Sequence, residues 1–328
     1  MNYKQLIADS WGYTQNNKKI IFWFGFFPAL FTTTVGVGYM VYQFFAFKTS
    51  FLFSDEEHSF LYDVVEVLWG FAKTHLSWTL QIIIFAILFV ISYMLIPTLA
   101  KASAIQSIAR SKNGQKSGVS IGLRHGIMSF LKLFEYHLLI KTFAFFSILL
   151  EMSFVIRNLG VGIFKILLPI FILYMVIGLI LTLLFTYSDF FIVIDDDGVF
   201  ESMKKSAKLV VMHWKYTFLI TMLMIIIGVR IFIQAILVFL IPALIILITG
   251  YFVTIALQGI GIIVGGLVGI VALVLAAYLN GIVDVFAYSV WTHTFLELSS
   301  EKELSAREVL VDDIGSDDHD YSGHKNLG

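Results

Sequence analysis

The sequence predicts an all-α polytopic membrane protein of about six transmembrane helices, arranged as three hairpins that are each preceded by a cytoplasmic amphipathic helix. Three observations predict this. Hydrophobic residues make up 59% of the chain and charged residues only 14%, against the roughly 25% charge of a soluble domain. Several apolar runs exceed the ~18 residues that mark a spanning helix. Short amphipathic segments stand directly ahead of apolar hairpins, the clearest being residues 195–216, DDDGVFESMKKSAKLVVMHWKY.

The formal net charge of −1 points neither to nucleic acid nor to an acidic partner. Cysteine is absent, which excludes disulfides, thiol chemistry and thiolate metal sites. The first apolar run is of spanning length and no small-residue cleavage site follows it, so it is expected to stay in place as a signal anchor.

In residues 3–17, Tyr3, Leu6, Ile7 and Trp11 recur at helical spacing and predict the first entry helix, which Lys18 and Lys19 close at the membrane edge. The first span is 20–47 and contains Pro28. Residues 48–73 turn acidic, and the stripe Phe60, Leu61, Val64, Val65 and Leu68 predicts a helix on the outer interface. The second span is 77–100, with Pro97 inside it. Residues 101–132 hold six basic residues and no acid, and Val119, Leu123, Ile127, Phe130 and Phe134 set up the second entry helix. The third span is 134–154, the connection 157–160 is short, and the fourth span is 164–187 with Pro169.

The third entry helix places Phe200, Met203, Ala207, Val210, Val211 and Trp214 on one face and Glu201, Lys204, Lys205 and Lys208 on the other. Three Asp residues just upstream suit the positive end of its dipole. Two long spans follow, 217–246 and 261–292, with a turn near Gln258 and Gly259; three shorter spans are the alternative. Residues 299–328 are acidic and polar and are expected to form a disordered cytoplasmic tail. Basic residues in 1–19 and 101–132, against the acidic 48–73, put the N-terminus in the cytoplasm of a plasma-membrane protein. Six spans return the C-terminus to the same side.

Residues 10–19, SWGYTQNNKK, and 206–215, SAKLVVMHWK, both start on Ser, end on Lys and run into a span. The middle copy, around 122–135, keeps the amphipathic stripe without those residues. Each unit is therefore an entry helix plus a hairpin, repeated three times. Through SWGYTQNNKKIIFWFGFFPALF, LAKASAIQSIARSKNGQKSGVSIGLRHGI, FIVIDDDGVFESMKKSAKLVVMHWKYTFLI and VDVFAYSVWTHTFLEL, the chain resembles a bacterial and archaeal six-span membrane family of unknown function. That family is similar to the membrane domain of some glycerophosphodiester phosphodiesterases. The catalytic domain is absent, so the resemblance implies a membrane module and no phosphodiesterase activity.

Charges inside spans cost free energy and are the first functional candidates. Arg230 and Asp284 are expected to face one another across the last hairpin, as a structural clip or as part of a transport path. Glu135, His137 and Lys141 form a second intramembrane polar cluster. Gly261, Gly265 and Gly269 offer a close-packing helix face, within the protomer or in a homodimer. Lys204, Lys205 and Lys208, with Lys112, Lys116 and Arg124, form a basic belt for anionic lipid headgroups. No catalytic motif, metal-ligand spacing or cofactor motif is found. The expected role is therefore a non-enzymatic membrane scaffold or accessory subunit that binds anionic lipid or a membrane-protein partner. The alternative is a transporter whose path passes Arg230 and Asp284. A lipid-directed enzyme ranks third.

Overall fold

The computed structural model describes residues 3–48, 60–141, 143, 145–252 and 255–317, and its regular structure among these is entirely helical. The entry helix α1 (Tyr3–Asn16) buries Leu6, Ser10 and Thr14, one residue per turn on a single face. A single turn, α2 (Lys18–Ile20), leads into a π-helical stretch, Ile21–Phe26, and then into α3 (Phe27–Lys48). The wide turn has a local cause. Pro28 has no N–H to give to the preceding turn, and the backbone widens there so that the N–H of Phe27 reaches the carbonyl of Phe22.

Next come α4 (Phe60–Thr74), the long α5 (Leu76–Lys112), α6 (Val119–Lys141) and α7 (Phe145–Leu184). Gly160 breaks α7 at φ 82°, ψ 167°, a conformation open to glycine and costly for any other residue. A short α8 (Ser188–Ile194) and an acidic turn precede α9 (Val199–Met212), followed by α10 (Trp214–Phe252) and α11 (Ile255–Asp317).

Along α5 the surroundings change abruptly. Residues 76–95 are largely exposed and apolar, a length that matches the ~20 residues needed to cross ~30 Å of hydrocarbon. From Thr98 to Ala109 the same helix is mostly buried. In α11, Ile263, Leu267, Ile270 and Leu275 are exposed while Ala276, Val285, Val290 and Leu298 are buried. The molecule thus has an apolar shaft made for lipid and a packed base. The main core lies in the base, where Tyr187, Phe190, Phe191 and Phe295 stack with Leu133, Leu209 and Leu298.

Among the described residues, four helices are long and apolar enough to cross a membrane: Lys18–Gln43, Leu76–Lys112, Leu159–Ile194 and Ile263–Ser300. The bent pair Val199–Met212 and Trp214–Arg230, at 101° to each other, makes up to five. The expected third span is corrected: α6 ends at Lys141 and α7 starts at Phe145, so no single helix covers 134–154. The last apolar stretch forms two long helices rather than three short ones, and Gln258 and Gly259 lie inside α11, not in a turn. The helix also runs on to Asp317, so the first part of the expected disordered tail is helical.

Small residues set the tightest helix approaches. A Cβ on Gly25 would collide with the carbonyl of Gly281, and one on Gly281 with the backbone of Phe26. On α6, Gly122 and Gly126 press against Ser107 and Ser103 of α5 in the same way. Gly281→Val is expected to lower stability by at least ~1–3 kcal/mol through overpacking of backbone against backbone. Gly38→Ala, with open space around it, is expected to change little. Thermal unfolding of both variants in detergent checks this.

Candidate functional site

Where the shaft meets the base, ionisable side chains from separate helices converge. Lys101 stands on α5 one turn after Thr98, His137 stands near the end of α6, and Asp189 lies in the first turn of α8. The position of Asp189 suits a carboxylate, because it lies at the positive dipole end of α8. Asp189 Oδ2 accepts a hydrogen bond from Lys101 Nζ, and Asp189 Oδ1 lies 3.2 Å from His137 Nε2. Only 11% of the Asp189 side chain is exposed, and 25% of that of Lys101. Tyr136, beside His137, donates its hydroxyl to the Phe185 carbonyl at 2.9 Å and ties α6 to the segment leading into α8.

A carboxylate accepts and does not donate, so Nε2 carries a proton. In the neutral ring Nδ1 is an acceptor, and it faces the Thr98 hydroxyl at 3.4 Å. Asp284 of α11 extends the cluster, with Lys101 as its electrostatic partner. No hydrogen bond or ion pair holds the Asp284 carboxylate among the described residues.

The structure regroups the residues expected from sequence. Arg230 is exposed on α10 and makes no ion pair with Asp284; the cation near Asp284 is Lys101. The expected clip is corrected accordingly: Asp284 is near Lys101 of α5 instead. Glu135 is exposed and apart from His137, because residues two apart point to opposite sides of a helix, about 200° round it. The Lys141 side chain and Gly261 lie outside the residues whose surroundings are described. Gly265 is buried and Gly269 half-buried, while the close backbone contact of α11 is made further on by Gly281. Lys101, Asp189 and Thr98 join the site only in the structure. Asp189 carried a signal, as the one acid between Glu151 and Asp195 in an otherwise apolar run.

The basic belt also divides. Lys205 is neutralised by Asp197, at 2.8 Å to both carboxylate oxygens, and by Glu201 at 3.1 Å. Lys112 lies 3.7 Å from Asp9. Lys204, Lys208, Lys116 and Arg124 are exposed. On α9 the buried face is Val199, Ser202, Ser206, Leu209 and Val210. Phe200, Val211 and Trp214 are 73%, 67% and 59% exposed on the other side, beside Lys204, Lys208 and Lys215. The expected apolar stripe is thus split, with Val210 turned into the base.

Among the described residues no group of three or more His, Cys, Asp and Glu side chains is placed to hold a metal ion. The Lys101–Asp189 pair predicts an asymmetric response to mutation. Lys101→Met leaves a buried carboxylate without its cation and is expected to destabilise by about 3 kcal/mol. Adding Asp189→Leu is expected to restore much of the loss, because an apolar pair of similar volume replaces the ions. Unfolding midpoints of the single and double variants check this.

The chain matches no protein-family model, and no curated protein or solved structure is detectably similar to it.

Proposed function

We propose that the chain is a non-enzymatic membrane protein, a scaffold or accessory subunit, that seats its base on anionic lipid at the cytoplasmic face of the plasma membrane. The observation that carries this is α9. It meets the start of α10 at 101°, so with α10 along the membrane normal α9 lies in the membrane plane. Its core-facing side is already satisfied by the base. Its outward side carries an apolar stripe flanked by Lys204 and Lys208, with Lys215 at the start of α10 beside them, and among the described residues none of the three has an internal partner. That is the pattern of a helix with its apolar edge in the acyl boundary and its ammonium groups at the phosphates.

In this reading the chain crosses six times, with both termini cytoplasmic. The third pass combines the end of α6, where Leu138 and Leu139 are exposed, with the first part of α7 up to the Gly160 break. α1, α6 and α9 are the three entry helices of a collar, as the resemblance to the six-span family implies. A membrane-protein partner or a second copy of the chain fits against the shaft.

A second reading, a transporter, draws on one observation: Lys101, His137, Asp189 and Asp284 come together from four helices. Its path passes this cluster rather than Arg230.

The test uses the protein in nanodiscs of mixed phosphatidylcholine and phosphatidylglycerol, with retained lipids counted by native mass spectrometry. Removing Lys204, Lys208 and Lys215 together, each to Gln, is expected to weaken phosphatidylglycerol retention about fivefold per lysine, from ~1 kcal/mol each. Lys205→Gln is expected to leave retention unchanged, since its charge is spent on Asp197 and Glu201. Wild-type retention by the triple variant sinks the reading.

A further inference from the structure

Beside the ionic cluster a pocket of 360 Å³ opens sideways between α3, α5, α6 and α7. Its wall includes Tyr93, Met94, Thr98, His137, Leu138 and Thr182. It sits at the level where α5 changes from exposed to buried, between Leu95 and Thr98, which is where an acyl chain gives way to a lipid's polar end. Its rim is open to the shaft surface, for Met94 is 42% and Leu138 49% exposed. Its lining is mostly apolar, with Thr98 and His137 among its polar groups, which suits the junction of a lipid's acyl chains with its glycerol.

Two features select the kind of head. Asp189 keeps a proton on His137 Nε2, so in the neutral ring the nitrogen near the pocket, Nδ1, is an acceptor. Its present partner, the Thr98 hydroxyl, is at the long distance of 3.4 Å. An acceptor so placed calls for a ligand that donates, which an alcohol does and a phosphodiester does not. The nearby charges agree: Lys101 faces the two carboxyl groups Asp189 and Asp284, so an added anion meets no spare cation.

We propose that this pocket binds the hydroxyl end of an uncharged lipid alcohol of the diacylglycerol class, with His137 Nδ1 accepting from the lipid O–H and Thr98 beside it. The acyl chains leave through the open side along Met94 and Leu138. This site is separate from α9 and recognises a different lipid chemistry, so each stands or fails without the other.

The experiment places the full chain in phosphatidylcholine nanodiscs, where the lysines of α9 have no anionic lipid to bind. The probe is a diacylglycerol with a diazirine in one acyl chain, with crosslinks mapped by peptide mass spectrometry. Labelling is expected in the segments 93–98 and 134–140, to be competed by unlabelled diacylglycerol, and to fall about tenfold, ~1.4 kcal/mol, when Leu138→Trp fills the mouth. Leu138 faces outward, so this variant keeps the base intact; a circular-dichroism melt confirms that it folds. His137→Phe is expected to remove the preference for a free hydroxyl over the acetylated probe. Equal labelling by the acetylated probe in the wild type, equal competition by phosphatidylglycerol, or unchanged labelling in folded Leu138→Trp overturns the proposal.

Discussion

The arrangement depends on Asp189 more than on any other side chain. Its carboxylate gathers Lys101 from α5 and His137 from α6 onto the first turn of α8. Taken singly, each of those groups is expensive at this depth, because a charge removed from water costs several kcal/mol unless it is paired and hydrogen-bonded. Together they fix the rotation of α5 and α6 about their own axes. Gly122 and Gly126 then lie against Ser103 and Ser107, and nothing larger would fit. Gln106 adds a donor to the Val193 carbonyl, closing the last turn of α8 against α5. The ion pair supplies register, and the small residues supply the proximity that lets it form.

That register explains why the base is packed and the shaft is not. In lipid there is no hydrophobic gain from putting apolar helices together, since acyl chains are as apolar as leucine. Residues 76–95 of α5 can stay exposed at no loss. The base cannot, because it carries polar side chains that need partners. Ser10 reaches His293 at 3.1 Å, Tyr187 reaches Thr217 at 3.2 Å, and Ser206 bonds to the amide of Tyr187 at 3.0 Å and the carbonyl of Leu184 at 2.8 Å. Polar satisfaction, more than burial of apolar area, concentrates the fold there.

Helix content and the membrane character were legible because they rest on composition and run length, which survive any error of register. Ser10 and Ser206, which start the two better-matching copies of the expected repeat, are both fully buried and both hydrogen-bond into the base. The break between Lys141 and Phe145 was hidden because both sides are apolar. The pairing of Arg230 with Asp284 failed for a related reason. Depth along neighbouring spans was available from counting residues, but the direction each side chain faces was not. Rotation of α11 is set by Gly281 against Gly25, a contact between residues far apart in the chain.

The lysines of α9 show how far charge counting goes. Lys204, Lys205 and Lys208 look equivalent in sequence, yet helix geometry separates them. Lys205 turns back over the N-terminal turn, where Asp197 and Glu201 reach it, whereas Lys204 and Lys208 point with Phe200 and Val211 away from the base. Asp196 takes up Lys132 of α6 at 2.8 Å and does so at a positive φ of 57°, a conformation that aspartate tolerates better than most residues. The acidic turn therefore consumes the cations that face it and leaves uncompensated the ones on the far side of the helix. A basic surface beside an acidic turn is produced with almost no net charge. The segment 195–216, with four acids and four lysines, thus works as a charge sorter, neutral toward its own protein and cationic toward what lies outside.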